Sequence, residues 1–130
     1  MRLVRTICCI SGIAQAVLFY ALLTDPEAVV GSFGVATSES VAFLGRWAAM
    51  LFLGLSALSF YVAASKIVRF PMTALLSVPW LGLAATGFFE YQRGYVGGEI
   101  FPALATEVLL GLLLLASGVI GKVGAGRHAG

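Results

Sequence analysis

The chain contains few charged residues for its length. Of its 130 residues, 8 are Lys or Arg and 6 are Asp or Glu, so that 11% are charged, whereas 60% are hydrophobic. Soluble domains carry about one charged residue in four. This scarcity excludes a soluble domain and predicts a chain that is solvated by lipid. The net charge of +2, with no run of basic residues, also argues against nucleic acid as a partner.

Histidine and cysteine are scarce as well. His128 is the only histidine, and Cys8 and Cys9 are the only cysteines. A zinc or haem site built from several histidines of this chain is therefore excluded, and we predict no metal and no resident cofactor. Adjacent cysteines on a helix do not meet disulfide geometry without distortion. We expect packed or lipid-facing thiols, with a redox pair as the alternative.

Long apolar runs are what the sequence has in abundance. A transmembrane helix needs about 20 mostly apolar residues, and four such runs are separated by short connections. They predict helices over residues 3–23, 41–65, 72–90 and 103–121. We therefore expect an all-α fold, an integral membrane four-helix bundle that forms one domain and has the lipid bilayer as its surroundings.

The first run follows two arginines, Arg2 and Arg5, as the apolar part of a signal peptide would. However, its apolar part is long for a signal peptide, and no small-x-small cleavage site follows Leu22 and Leu23. We interpret it as an uncleaved first helix. Within it, Gln15 shares a helical stripe with Ser11. Because an amide in lipid would be left unsatisfied, we predict a hydrogen bond from Gln15 to a neighbouring helix.

The first connection, residues 24–40, is acidic and is the longest. Its Thr24-Asp-Pro-Glu27 segment has the spacing of a capping box, which predicts a short interfacial helix through Val30. Ser38 and Ser40 are candidate N-caps of the second membrane helix. The glycine-containing segment that begins at Gly31, between the short helix and Ser38, either folds back over the mouth of the bundle or only connects the two helices.

Lys and Arg are unevenly distributed over the connections. The N-terminus, the second connection and the tail contain Arg2, Arg5, Lys66, Arg69, Lys122 and Arg127, whereas Arg93 is the only basic residue of the other connections. By the positive-inside rule, this asymmetry predicts that both termini are cytoplasmic. We expect a multi-pass protein of the cell inner (plasma) membrane whose first and third connections face outward.

This topology brings four charged residues to one level in the outer half of the bundle. Arg46 lies about 7 to 8 Å and Glu107 about 6 Å into their helices, at 1.5 Å per residue. Glu90 ends the third helix on the same side, and Arg93 follows it. Small residues mark the faces where membrane helices meet. They predict inward faces containing Ala42, Ala49 and Ala57 on the second helix, Pro79, Gly82, Thr86 and Glu90 on the third, and Ala103, Glu107, Gly111, Gly118 and Gly121 on the fourth.

The cluster of Arg46, Glu90, Arg93 and Glu107 has three interpretations. In the first, Arg46 and Glu107 form a structural ion pair. In the second, the cluster lines a polar cavity that binds a quinone, a lipid head group or a small anion. In the third, one of the charges binds a partner subunit. The residue types alone do not separate these three.

The chain resembles DoxX-like small bacterial membrane proteins. The resemblance rests on Gly45-Arg46 and on Thr106-Glu107-Val-Leu-Leu at the start of the fourth helix, and it covers Phe43 to Ala116. It implies a four-helix membrane protein with Arg46 and Glu107 at matching positions. Named members of the group are linked to quinone-coupled sulfur oxidation. However, the histidines of a redox enzyme, and basic residues at the spacing that such an enzyme has, are absent from this sequence.

Three functions follow as hypotheses. The first is a non-catalytic accessory subunit or assembly component of a larger membrane complex, with other membrane protein subunits as partners. The second is binding or transport of a small ligand or quinone at the outer polar cavity. The third, a quinone-linked enzyme, would depend on Cys8, Cys9 or the carboxylates, and both cysteines lie at the end opposite to the cluster.

Overall fold

Five α-helices make up nearly all of the described part of the chain. The computed structural model describes residues 2–65 and 70–126. The helices are α1 (Arg2–Thr24), α2 (Pro26–Gly31), α3 (Glu39–Ala64), α4 (Phe70–Gln92) and α5 (Phe101–Gly126), with a 3₁₀ turn at Gly98–Ile100 before α5. Four of them, all but α2, are long and apolar enough to cross a membrane. The predicted all-α fold with four candidate spans is confirmed.

The helix ends differ slightly from the predicted ones. The second span begins at Glu39 because Ser38 is its N-cap, with Ser38 Oγ accepting a hydrogen bond from the Val41 backbone N–H at 3.3 Å. The short helix α2 is present as predicted, but its N-cap is Asp25 and not Thr24. α5 continues to Gly126, past the predicted end at 121. The basic residues Lys66, Arg69 and Arg127 lie outside the described residues.

The four long helices pack as two pairs of consecutive spans. α1 packs most extensively against α3, and α4 against α5; α1 also contacts α5, whereas α3 and α4 touch only slightly. Short α2 lies against α3 and the adjacent end of α1. The core between the pairs consists of Val4, Ile7, Cys8, Val62, Ala63, Leu76, Trp80, Leu110 and Leu114. α1 is thus the helix that joins the two pairs.

Glycines set the close approach within each pair. A Cβ at Gly111 of α5 would lie 2.6 Å from Leu81 Cγ of α4, so only glycine fits at that contact. This agrees with the predicted inward face of α5. The predicted face of α4 is partly wrong, because Gly82 and Thr86 are exposed. α4 packs instead through Thr73, Leu76, Ser77, Trp80 and Ala84.

Candidate functional site

Of the charged residues predicted to form one cluster, only Glu90 and Arg93 form an ion pair in the described part of the chain. Arg46 is exposed, and the one ion pair in the described part of the chain joins Glu90 to Arg93 at 3.9 Å. The expected pair between Arg46 and Glu107 is therefore not formed. The reason is helix rotation: Gly45 faces the packed side of α3, and one further residue turns the chain by about 100°. Arg46 is thereby directed away from the bundle.

Glu90 and Arg93 form a local structure at the end of α4. Their side chains are 34% and 52% exposed, so that their ion pair contributes little to stability. The Arg93 guanidinium also lies 5.3 Å from the centre of the Phe89 ring and 5.0 Å from that of Tyr95, which are cation–π distances. These contacts order the turn that follows α4.

Gln15 makes the interhelical hydrogen bond that the sequence predicts. Its Oε1 accepts a bond of 2.9 Å from Ser59 Oγ of α3, and only 1% of the residue is exposed. The amide oxygen thus binds a neighbouring helix in the interior of the bundle, where an unpaired polar atom is costly.

Glu107 lies level with Gln15, on the inward side of α5. Gly87 contacts Leu104 and Gly111 contacts Leu81, so Glu107 between them is level with Ala84 of α4. Trp80 bonds to Ser11, and one turn further along these two parallel helices Ala84 is level with Gln15. Glu107 shares its face with buried Leu104 and Leu114 and is itself half-buried. Glu107 is therefore only partly shielded, on the face of α5 that also contains buried leucines.

Two further interhelical hydrogen bonds escaped the sequence-based predictions. Ser56 Oγ donates to the Gly12 carbonyl oxygen at 2.8 Å, and Trp80 Nε1 donates to Ser11 Oγ at 2.8 Å. All four residues are buried. The available signals were the hydroxyls of Ser56 and Ser59 on the small-residue face of α3, and the indole N–H, which needs an acceptor when buried. The polar atoms of this interior seam bind one another.

The first and third connections meet at the end of the bundle opposite the termini. The Gly97 backbone N–H donates to the Phe33 carbonyl oxygen at 3.0 Å. Gly34, with a φ of +76°, lies beside Gly97, and a Cβ there would be 3.2 Å from Gly97 N. The segment therefore contacts the third connection, and its two interpretations, a fold over the mouth of the bundle or a simple connection, both remain open.

A groove of about 770 Å³ lies between α4 and α5. Its walls are apolar and include Leu81, Ala85, Phe88, Leu104, Val108 and Leu112. None of the residues of the predicted charged cluster lines it. The groove therefore suits hydrocarbon and offers no polar group that would orient a head group.

Within the described ranges, no group of three or more His, Cys, Asp or Glu side chains has the arrangement of a metal site. Cys8 is buried, Cys9 is partly buried, and both are free thiols. Comparison of the chain with models of protein families, with curated proteins and with solved structures finds no match.

Proposed function

We propose that this chain is a non-catalytic component of a larger membrane complex, an accessory subunit or assembly factor. The observation that supports this proposal is the position of Arg46. It lies on the exposed side of a candidate membrane span and has no ion-pair partner within the described part of its own chain. An arginine costs about 2.5–3.5 kcal/mol on insertion scales at the centre of a span, and less nearer its end, where Arg46 lies. A partner outside the chain offsets that cost.

The interior of the bundle supports the same proposal. Its buried polar side chains Ser11, Gln15, Ser56, Ser59 and Trp80 are hydrogen-bonded to one another or to backbone, and the groove between α4 and α5 is apolar. The alternative, a polar cavity for a quinone, lipid head group or anion, has less support because Arg46 is exposed and forms no ion pair with Glu107 in the described part of the chain. Lateral helix faces are then the main surfaces for recognition.

The distribution of Lys and Arg supports a location in the cell inner (plasma) membrane, with both termini in the cytoplasm. Membership of the DoxX-like group is part of this proposal, and it rests on Gly45-Arg46 and Thr106-Glu107 alone. Under this topology Arg46 lies in the outer half of the membrane, on the side of the first and third connections.

The proposal is tested by isolating the protein from native membranes. A chain tagged at its chromosomal locus and solubilised in a mild detergent is expected to migrate on a native gel well above a 13.6 kDa chain in a micelle, together with a second protein. The same chain overproduced in excess of its partner is the control and should add a fast-migrating free form. Recovery of the native-level protein only as a free monomer would contradict the proposal.

A further inference from the structure

One exposed stripe of α3 combines the isolated charge with aromatic side chains. The residues of this α3 stripe share an arc of about 100° around the helix; they are Arg46, Trp47, Met50, Gly54, Ala57 and Tyr61. Trp47 is 68% and Tyr61 is 67% exposed, so the stripe faces away from its own bundle. Arg, Trp, Tyr and Met are the residues that are enriched in the cores of protein interfaces.

The α3 stripe also has a notch at its middle. Beyond α3 itself and the residues next to Gly54, no atom of the described residues lies within 4 Å of the place where a Cβ of Gly54 would be, and exposed Ala57 follows one turn later. Small residues at such positions let the backbone of a second membrane helix approach closely. Pro26 occupies the space beside Gly45 and Leu81 occupies the space beside Gly111, whereas the space beside Gly54 is open. Lipid chains adapt to any helix surface and require no such notch.

We propose that the α3 stripe docks a transmembrane helix of a different protein, and that this helix carries an Asp or Glu level with Arg46. This inference rests on the function proposed above and names the chemistry of the partner. A carboxylate matches the guanidinium in charge and can accept two of its hydrogen bonds. A second copy of this chain is disfavoured, because a two-fold contact through the stripe would place Arg46 opposite Arg46.

The test uses a photoactivatable residue at Met50 in the full chain, expressed at native level in its own membrane. A heterologous adduct is expected, and Arg46→Glu or Gly54→Leu should each reduce it by about tenfold or more. Gly82→Leu is the matched control, since Gly82 of α4 is also exposed with no atom within 4 Å of its Cβ position; its adduct should be unchanged. Equal thermal unfolding of the three variants shows that each is folded.

The identity of the adduct completes the test. The captured protein is sequenced, and its membrane carboxylate is changed to Arg. This change alone should abolish the adduct, and combined with Arg46→Glu it should restore the adduct. An adduct with lipid only, or with a differently tagged second copy, overturns the inference. A complex that stays intact in Arg46→Glu and Gly54→Leu also overturns it while leaving the proposed function standing, whereas a monomer in native membranes removes both.

Discussion

At the scale of single residues, the polar groups inside the bundle decide how α1 meets α3. Gln15 has 1% of its surface exposed, and its Oε1 is bonded to Ser59 Oγ. Interhelical hydrogen bonds in membrane proteins contribute about 0.6 kcal/mol on average and up to about 1.7 kcal/mol, since the separated helices also find other partners. The pair is therefore a modest but specific link.

We predict a favourable coupling of about 0.6 kcal/mol, and at most about 1.7 kcal/mol, between Gln15 and Ser59. A double-mutant cycle with Gln15→Leu and Ser59→Ala, read from reversible unfolding in mixed detergent, measures it. Ser77→Ala is the control in combination with Gln15→Leu, because the Ser77 hydroxyl bonds to the Ala74 carbonyl oxygen of its own helix. Additive effects of the first pair would contradict the assignment.

The residue scale also shows what the sequence leaves undetermined. That Gln15 needs a partner on another helix follows from the chemistry of an amide in lipid. The identity of the partner, Ser59, does not follow from that chemistry, because it depends on the register between α1 and α3. The depth of Arg46 follows from counting residues, but its direction depends on which side of α3 is packed. The contact between Gly45 and Pro26 determines which side of α3 is packed, and the local sequence does not predict this contact.

At the scale of elements, the short helix α2 approaches α3 closely at Gly45, where a Cβ would lie 2.7 Å from Pro26 Cβ. The sequence predicts α2 from its capping box but assigns the cap to Thr24. In the structure Thr24 still belongs to α1, where its hydroxyl donates to the Tyr20 carbonyl oxygen at 2.8 Å. Asp25 then accepts from the Ala28 N–H at 3.0 Å. Because α1 includes Thr24, the N-cap of α2 is Asp25, one residue later than predicted.

Gly45→Ala is expected to displace α2. The new Cβ would lie 2.7 Å from Pro26 Cβ, and the proline ring cannot rotate away. We expect a loss of about 1–3 kcal/mol, as for overpacked cores, and faster amide hydrogen exchange over residues 26–31. Gly54→Ala adds the same methyl group where the space is open, so it should leave exchange in α2 unchanged. Equal exchange in the two variants would show that α2 does not depend on this contact.

At the scale of the whole molecule, four helices are long and apolar enough to cross a membrane. Their number and approximate limits follow from hydropathy, because each apolar run is long enough and the connections are short. The arrangement of the spans around one another does not follow from hydropathy. It depends on which small residues meet, and exposed Gly82 and packed Gly111 look alike in the sequence.

We expect reporter fusions to place the termini in the cytoplasm. Alkaline phosphatase fused after residue 130 should be inactive and a fluorescent protein there should be bright, whereas phosphatase inserted in the third connection at Tyr95 should be active. The physical reason is the excess of Lys and Arg on the side of the termini. Insertion of phosphatase into the basic second connection serves as an inactive control. An active phosphatase at the C-terminus would reverse the orientation and put Arg46 in the inner half.

The pairing of consecutive spans has a consequence for how the chain is made. Because α1 packs chiefly on α3 and α4 on α5, each hairpin finds its main contacts among residues that leave the ribosome one after the other. The amino-terminal hairpin, with its bonds from Ser56 and Ser59, makes these contacts without any residue of α4 or α5. The bond from Trp80 to Ser11 can form only once α4 is present. We therefore expect folding in the bilayer to proceed by hairpins, with the joining of the two hairpins as the last step.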